Sequence, residues 1–354
     1  RSDDDAAADV RDQLAQRQHL GAERAEALDE DDQEELARRR HGKPRFGGAR
    51  SLTEIRLEAV QWRPMLSYRH SFHAGNHADV LKHLVLVQLI DYLKQKDKPF
   101  WVVDTHAGAG LYALDAGHAT KLAEHEGGIA RLWERKDLPP AVAAYVEQVR
   151  ALNPKGDLTA YPGSPWIAYK LLRGEDKLRL FELHSTDIVT LADNFREAGR
   201  QVMVTHGDGL AGLKALLPPP PRRALALIDP SYEVAADYRG VAKTLDEALK
   251  RFPTGTYAVW YPILAKPEAK SLPEKLKALG AKSWLDVTLT VRKQPPGVFG
   301  MPGSGMFVIN PPWTLEQTLR DTMPWLVEAL AEDGVGMTGT LVSRDGLTVE
   351  VQGE

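Results

Sequence analysis

The sequence Asp229-Pro230-Ser231-Tyr232 follows the apolar run Ala224–Ile228, and its residue types suit the handling of an exocyclic amine. The N6 amine of adenine is a poor nucleophile because its lone pair is delocalised into the ring. A carboxylate and a fixed carbonyl can orient the amine protons and restore lone-pair character, and an aromatic ring can stack on a flipped-out base. The motif therefore predicts Asp229, Pro230 and Tyr232 as catalytic residues acting on an adenine amine.

A second sequence, Asn310-Pro311-Pro312-Trp313, fits the looser pattern of amino-methyltransferases better at its third position. Its place in the chain argues against it, because the catalytic motif should leave the fourth strand. Asn310 follows the last predicted strand, which we expect at the sheet edge. We interpret this second sequence as a rigid strand exit with a packed indole.

A strand that opens into a glycine-rich turn, Asp104-Thr105-His106-Ala107-Gly108-Ala109-Gly110, predicts a ligand site upstream. Taken alone, the turn is weak evidence, because such exits also serve nicotinamide, flavin or plain packing. Acids follow the next two strands, at Glu182 for a ribose diol and at Gly207-Asp208 for an adenine amine. Single acids can be helix caps, but this ordered series together with Asp229 favours S-adenosylmethionine.

The segment from Tyr68 to His83 contains four histidines, and His73 and His77 have i, i+4 spacing. A zinc site is disfavoured because Gly75 and Asn76 would interrupt any helix carrying both, so we expect no metal. Asn76 and Asp79 are spaced like a capping box at a helix start. We interpret the segment as lying over the cofactor pocket, with Lys82 and His83 facing the ligand and Tyr68 or Arg69 meeting nucleic acid.

Strands and helices alternate along the chain at intervals too long for hairpins, which predicts an α/β fold with a mostly parallel, doubly wound sheet. The predicted strands are Phe100–Asp104, Leu178–Glu182, Gln201–Thr205, Ala224–Asp229, Thr256–Tyr261, Ala281–Leu289 and Gly305–Ile309. Helices are expected at Ser185–Ala198, Gly209–Leu216, Val241–Arg251 and Pro267–Leu279. Between the first two strands we find helices, at about 118–134, 139–152 and 164–173, and no convincing strand. We therefore predict a helical insertion at about 113–162.

Residues 1–64 differ from the rest of the chain, because they hold 15 acidic and 12 basic residues and no methionine. Such a segment buries too little apolar surface to offset its ordering entropy, so we expect disorder. It is either a natural charged arm or an extension upstream of a start at Met65, and we favour the second. The remainder is divided into a catalytic domain, 65–330, and a C-terminal tail, 331–354.

Composition narrows the class of protein. With 43% hydrophobic residues the chain is globular, and no apolar run is long enough to span a membrane. The absence of cysteine excludes disulfides and thiolate chemistry and fits a cytoplasmic protein. The net charge of −4 argues against wholesale coating of nucleic acid but leaves room for a local basic groove.

Four motifs together resemble a known family, the RlmJ family of bacterial 23S ribosomal RNA adenine-N6 methyltransferases. They are Met65–His83, Asp104–Gly110, Tyr161-Pro162-Gly163-Ser164-Pro165 and Asn310-Pro311-Pro312-Trp313. The resemblance implies a Rossmann-like class I methyltransferase with a helical insertion. It also implies S-adenosylmethionine as donor and a single adenine of 23S rRNA (position 2030 in the usual numbering of that RNA) as acceptor.

The resemblance implies cofactor contacts at His83, His106, Ser164, Glu182 and the Gly207-Asp208 pair, with Asp229 as the catalytic acceptor and Tyr68 as a contact to RNA. Together with the residues chosen from the pattern, the expected cofactor contacts are Lys82, His83, Asp104, His106, Gly108, Ser164, Glu182, Gly207, Asp208 and Asp229. Tyr68 and Arg69 are the expected contacts to the substrate RNA. The chain departs from the family at Ser231, where the family has proline, and in the first 64 residues, which have no counterpart there.

Two other functions remain open. A DNA adenine methyltransferase would share the four-residue motif, but such enzymes usually carry a target-recognition domain, and no comparable block is left once the sheet and insertion are assigned. A methyltransferase-like RNA-binding module without activity would not need acids at all four strand ends. We expect a monomer whose partner is 23S rRNA.

Overall fold

The computed structural model describes residues 73–114, 123–293, 300–332, 338–344 and 348–352. Residues 1–64 and the two predicted RNA contacts, Tyr68 and Arg69, lie outside the described residues. Within the described part, no helix is both long and apolar enough to cross a membrane.

Helices and strands alternate as the sequence pattern predicts. The helices are α1 His77–Lys94, α2 Ile129–Trp133, α3 Pro140–Arg150, α4 Ser164–Leu171, α5 Ser185–Asn194, α6 Gly209–Leu216, α7 Ala235–Arg251, α8 Pro267–Lys277 and α9 Trp313–Leu330. The strands are β1 Trp101–Asp104, β2 Leu111–Ala113, β3 Ala160–Pro162, β4 Lys177–Glu182, β5 Val202–His206, β6 Ala224–Ile228, β7 Thr256–Ile263, β8 Trp284–Thr290, β9 Gly303–Ile309, β10 Thr338–Ser343 and β11 Thr348–Gln352. Short 3₁₀ turns occupy Glu124–Gly127 and Gly199–Gln201.

Nine strands form one sheet in the order β11-β10-β8-β9-β7-β6-β1-β4-β5. The five contiguous strands β5, β4, β1, β6 and β7 are parallel, and β9 is antiparallel to both of its neighbours. Strand β1 is the first strand of this sheet along the chain. Strands β4 and β5 are added on one side of it and β6 and β7 on the other, so the strand order reverses at β1. In such sheets ligands bind at the carboxyl ends of the strands beside the reversal.

Helices cover both faces of the sheet, which confirms the doubly wound prediction. Residues of α1, α3, α4, α5 and α9 belong to the core on one face, and residues of α6, α7 and α8 belong to the core on the other. Strand β6 is buried along its whole length, as expected of a central parallel strand.

The helical insertion is closed by a small ribbon that the sequence analysis missed. Strands β2 and β3 pair antiparallel, with Leu111 opposite Pro162 and Ala113 opposite Ala160. The statement that no strand lies in this region is therefore wrong, because three-residue strands are too short to show a period. The helices α2 and α3 and the 3₁₀ turn Glu124–Gly127 lie between the two strands. The helix α3 matches the one predicted at 139–152, whereas the one predicted at 118–134 is, in its described part, the 3₁₀ turn followed by the five-residue helix α2.

The segment 331–354, expected to be a tail, contributes two strands to the main sheet. Strand β10 pairs antiparallel with β8, and β11 pairs antiparallel with β10. Strand β9 lies in the interior of the sheet, between β7 and β8. The expectation that Asn310 leaves an edge strand is therefore also wrong.

Candidate active site

The glycine-rich turn after β1 is held in place by backbone hydrogen bonds to its neighbouring strands. The Thr105 amide donates to the Leu227 carbonyl at 3.1 Å, and the Ala107 amide donates to the Phe181 carbonyl at 2.9 Å. Gly108 and Gly110 have φ of 59° and 83°, a conformation that costs glycine least. The turn is thus a rigid platform at the carboxyl edge, joined to both β4 and β6.

Glu182 ends β4 and organises the same platform. One carboxylate oxygen accepts the Gly108 amide at 2.7 Å, and the other accepts the amides of Leu183 and His184, each at 2.7 Å. Burial raises the pKa of Glu182, while these amide hydrogen bonds oppose the rise. The side chain is half-buried, so its remaining lone pairs can accept hydroxyl donors from a ligand.

Gly207 and Asp208 follow β5 at the same edge. Asp208 Oδ1 caps α6 by accepting the amides of Leu210 at 2.9 Å and Ala211 at 3.2 Å. Asp208 is exposed, and a Cβ added at Gly207 would meet no atom within 4 Å. Asp208 can therefore cap α6 and bind a ligand at the same time, because the cap uses only Oδ1 and leaves Oδ2 for the ligand.

Asp104, the last residue of β1, is 1% exposed and lies beneath the turn. Its Oδ2 accepts the hydroxyl of Ser164 at 2.7 Å, which brings the first residue of α4 to the site. Burial raises the pKa of Asp104 to about 6, against the lowering effect of the Ser164 hydrogen bond. Asp104 and Ser164, which the sequence analysis predicts as cofactor contacts, are therefore direct neighbours.

Asp229 follows β6 and forms a buried ion pair with Lys82 of α1. The Lys82 ammonium donates to Asp229 Oδ2 at 2.6 Å and contacts Asp79 Oδ1 at 2.8 Å. Burial alone would lower the pKa of Lys82, but the attraction of Asp229 and Asp79 outweighs it and holds that pKa above its usual value. Asp229 Oδ1 accepts no hydrogen bond from the part of the chain that the structure describes.

Asp79 also fixes the start of α1. Its Oδ2 accepts the Gly75 amide at 2.9 Å, while Asn76 Oδ1 accepts the amides of Ala78 and Asp79. The helix cap predicted at Asn76 is confirmed, although the acid reaches Gly75 rather than the Asn76 amide. The sequence analysis treated Asp79 only as a cap and missed its contact with Lys82, for which i, i+3 spacing was the available signal.

Tyr232, which the sequence analysis predicts to stack on the target base, is instead buried inside the protein. It is 1% exposed, its hydroxyl donates to the Trp260 carbonyl at 2.8 Å, and its ring centroid is 4.6 Å from that of Tyr238. A ring packed in this way cannot stack on a base in this conformation. The structure instead uses Tyr232 to anchor the motif to β7. Pro230 is buried next to it, and its carbonyl accepts no hydrogen bond from a described residue.

The two predicted histidines differ in their surroundings. Burial lowers the pKa of His106 to about 4, and its Nδ1 is 2.8 Å from the Thr105 hydroxyl, so the ring at the site is neutral near pH 7. His83 is completely buried and lies 2.7 Å from the Tyr161 hydroxyl. The structure thus places His106 beside the acids and His83 deeper, in the packing between α1 and the insertion.

Asn310 lies at the amino ends of the parallel strands, at the opposite end of the sheet from Asp229. Because β9 is antiparallel to β7, its end at Ile309 is opposite Tyr257, near the start of β7. The Asn310 amide donates to the carbonyls of Pro253 and Gly255 at 2.9 and 2.7 Å. Trp313, expected to be packed, is 82% exposed, which corrects that interpretation.

Five carboxylates therefore meet at or near the carboxyl edge, with one buried ammonium among them. They are Asp79, Asp104, Glu182, Asp208 and Asp229. Among the described residues no group of three or more histidines, cysteines and acids is placed to hold a metal ion. The excess of negative charge, the open space at Gly207 and the left-handed glycines suit a cationic adenosyl ligand that approaches the backbone closely, so S-adenosylmethionine fits these residues.

Comparisons with known proteins agree with this geometry. The model of a family described as "Ribosomal RNA large subunit methyltransferase D, RlmJ" matches residues 97–341. Ribosomal RNA large subunit methyltransferase J of Escherichia coli K12 is 49% identical over 272 residues, covering 77% of this chain and 96% of that protein. The protein of the same name from Haemophilus influenzae is 46% identical over 273 residues, with the same two coverages.

A solved structure supports the fold independently. A Legionella pneumophila protein superimposes with a TM-score of 0.70 at 35% identity, over 77% of this chain and 98% of that one. The fold is the Rossmann-like class I methyltransferase fold. With a family model spanning well over half of its length and relatives near half identity, the chain belongs to the RlmJ family of ribosomal RNA large subunit methyltransferases.

Proposed function

We propose that this protein transfers a methyl group from S-adenosylmethionine to N6 of one adenine in 23S rRNA. The observation that supports the proposal is the hydrogen bonding of the Asp229 carboxylate. Lys82 holds one of its carboxylate oxygens at 2.6 Å, and the other accepts nothing from the described residues. An acceptor fixed at one oxygen and open at the other can orient an incoming amine.

The cofactor side of the site would use residues of the carboxyl edge. Glu182 would accept the ribose hydroxyls, Asp208 the adenine amine, and the backbone of the turn at Gly108 would approach the ligand closely. Asp104, positioned by Ser164, would offer negative charge to the cationic end of the ligand. S-adenosylmethionine, when bound, supplies an electrophilic methyl group on a sulfonium sulfur.

On the acceptor side, Asp229 Oδ1 and the Pro230 carbonyl would accept the two N6 protons of adenine. These hydrogen bonds turn the amine lone pair out of conjugation and toward the methyl group. The nitrogen would gain the methyl carbon as the bond from that carbon to sulfur breaks, the electron pair would stay on sulfur, and one proton would pass from the nitrogen to Asp229 or to water. Because Lys82 neutralises much of its charge, Asp229 acts mainly by orientation, and no covalent bond to the protein forms.

The working unit in this proposal is one copy of the chain acting in the cytoplasm on 23S rRNA. Tyr68, as the family resemblance implies, and its neighbour Arg69 would contact the RNA. His83 would support the cofactor pocket from below, since it is buried against Tyr161. The support for RNA rather than DNA is the family membership and the relatives' names.

The test is methyl transfer from labelled S-adenosylmethionine to 23S rRNA isolated from a strain that lacks the modification. Nucleoside mass analysis should find N6-methyladenine at a single position. Asp229→Asn should remove activity and keep cofactor affinity within about tenfold, because the carboxylate acts on the amine in the transition state. Asn310→Ala is the matched control and should stay active. Label in DNA or at a cytosine N4 would overturn the acceptor assignment.

A further inference from the structure

The amino edge of the sheet, away from Asp229, carries a groove of about 680 Å³. The end of α1, the turn that follows it, the residues before β6 and the start of β7 form its walls. Its charged lining residues are Lys96, Lys98, Arg222 and Arg223, against one acid, Asp97. The groove therefore has a net positive charge, and nothing in the methyl-transfer mechanism uses it.

Three of these cations are available to a ligand. Lys96, Lys98 and Arg222 are exposed, and none of them forms a salt bridge within the part of the chain that the structure describes. Arg223 has a different role, because its guanidinium donates to the carbonyls of Lys98 and, at 2.7 Å, Leu93. It covers carbonyl oxygens that would otherwise repel an anion in the groove.

An exposed aromatic ring lies close to the groove. Trp313, 82% exposed, begins α9 three residues after Asn310. The Asn310 side chain bonds the Pro253 carbonyl at 2.9 Å, and the Thr256 hydroxyl donates to the Asn310 carbonyl at 3.2 Å. Thr256 lines the groove. Three residues of chain span at most about 11 Å, so the backbone of Trp313 lies within that distance of Asn310, at the same end of the sheet as the groove.

The catalytic edge is poorly suited to attract phosphates by itself. Five carboxylates surround the buried, paired ammonium of Lys82, and the exposed cations that the structure places at this end of the sheet, Lys266 after β7 and Lys293 after β8, follow other strands. Phosphate contacts supply most of the non-specific affinity for nucleic acid, and they require accessible Lys or Arg. Accessible cations on other surfaces of the molecule can therefore add to the attraction for RNA.

We propose that the groove and Trp313 form a second RNA-binding surface. Lys96, Lys98 and Arg222 contact successive phosphates of an unpaired strand, and Trp313 stacks on one of its bases, the combination typical of single-strand binding. Strand β6 separates Arg223 from Asp229, which at about 3.3 Å per residue places the groove about 20 Å from the catalytic residue. The bound segment is therefore not the one that carries the target adenine, and only a long RNA reaches both edges.

The inference rests on the proposed function in taking RNA as the substrate, but its first test does not depend on methylation. The probe is a short fluorescent oligouridylate, which contains no adenine, and the readout is anisotropy at several salt concentrations. The groove variant is Lys96→Glu/Lys98→Glu/Arg222→Glu. The matched control, Lys243→Glu/Lys270→Glu/Lys275→Glu, reverses three exposed lysines on α7 and α8.

The groove variant should bind the probe at least about tenfold more weakly, and its salt slope should fall by about two to three, one for each lost phosphate contact. Trp313→Ala should weaken binding about tenfold with an unchanged slope, because stacking is not ionic. The control should bind within about twofold of wild type. Cofactor affinity and melting temperature should be unchanged in all three.

A second readout compares long and short substrates. The groove variant should lose kcat/KM on full-length 23S rRNA and keep it on a short hairpin that carries the target adenine. The proposal is overturned if the groove variant binds oligouridylate like wild type, or if the control loses as much. Lowered thermal stability with normal RNA binding would also overturn it, since the cations would then only complement the carboxyl end of α1. Methylation at a different base would overturn the proposed function and leave the anisotropy result standing.

Discussion

At the scale of single residues, the ion pair between Lys82 and Asp229 holds the carboxylate that we propose acts on the target amine. Lys82 is 4% exposed and shared between Asp79 and Asp229, so the buried cluster has two carboxylates and one ammonium. Such a cluster costs desolvation energy, and its benefit is a fixed orientation. The sequence predicted Lys82 at the site through its helix position, but it could not show which carboxylates that ammonium would meet.

Lys82→Met keeps the size of the side chain and removes the charge. Two buried carboxylates would then repel each other, so the free energy of unfolding should fall by about 3–5 kcal/mol, the range for breaking a buried pair. Urea denaturation measures the loss, and Lys94→Met, on the partly exposed last turn of α1, should change stability by less than about 0.5 kcal/mol. Equal stability of the two variants would show that Lys82 does not stabilise the fold through Asp79 and Asp229.

Asp104 predicts opposite pH dependences for stability and for cofactor binding. Burial raises its pKa from 3.8 to about 6 in the folded protein, so its contribution to stability is complete below pH 3.8 and is lost as the pH rises through 6. The loss amounts to about 3 kcal/mol for a shift of this size. Chemical denaturation between pH 4 and 7 should show it in the wild type relative to Asp104→Asn.

Affinity for S-adenosylmethionine should change in the other direction, because an ionised Asp104 attracts the cationic ligand. Calorimetry should show tighter binding as the pH rises through about 6, and Asp104→Asn should lack this rise. A wild-type affinity that does not vary from pH 5 to 7 would remove Asp104 from the cofactor site.

At the scale of elements, the motif after β6 is held by its contact with β7. The left-handed φ of Tyr232, 53°, and its hydrogen bond to the Trp260 carbonyl fix the turn that presents Asp229. Tyr232→Phe separates this anchoring role from the stacking role that the motif suggests. An anchor should lose about 1 kcal/mol of stability and some turnover, because the hydrogen bond is lost. A stacking ring would lose neither, since phenylalanine stacks equally well. Urea denaturation and single-turnover methylation together distinguish the two.

Much of the parallel half of the sheet could be predicted from the sequence because long apolar runs alternate with amphipathic helices. The bounds of α6, Gly209–Leu216, were predicted as observed, and β6 differed only by its last residue. Strands β2 and β3 escaped detection because their three residues carry no period, and β10 and β11 because small and polar residues such as Thr338 and Gly339 obscure the alternation. The burial of Tyr232 depends on Tyr238 and Trp260, contacts that no local pattern specifies.

At the scale of the whole molecule, the two ends of the chain should contribute unequally to the stability of the fold. Residues 1–64 hold 27 charged side chains, and from this composition we expect them not to join the core. A variant that begins at Met65 should keep the melting temperature, cofactor affinity and methyl transfer of the full chain. A large loss of thermal stability in that variant would show that the segment docks on the domain.

A variant that ends at Glu332 should behave in the opposite way, because β10 and β11 complete the sheet. Leu341 of β10 is 2% exposed, and a Cβ at Gly339 would come within 2.9 Å of Met323 and Val327, so β10 packs closely on α9. Its removal uncovers α9 and leaves the seven-residue strand β8 as an open edge, which favours pairing between molecules. Thermal denaturation should show a lower melting temperature, and light scattering should show aggregation. A soluble, equally stable product would mean that the sheet is complete at β8.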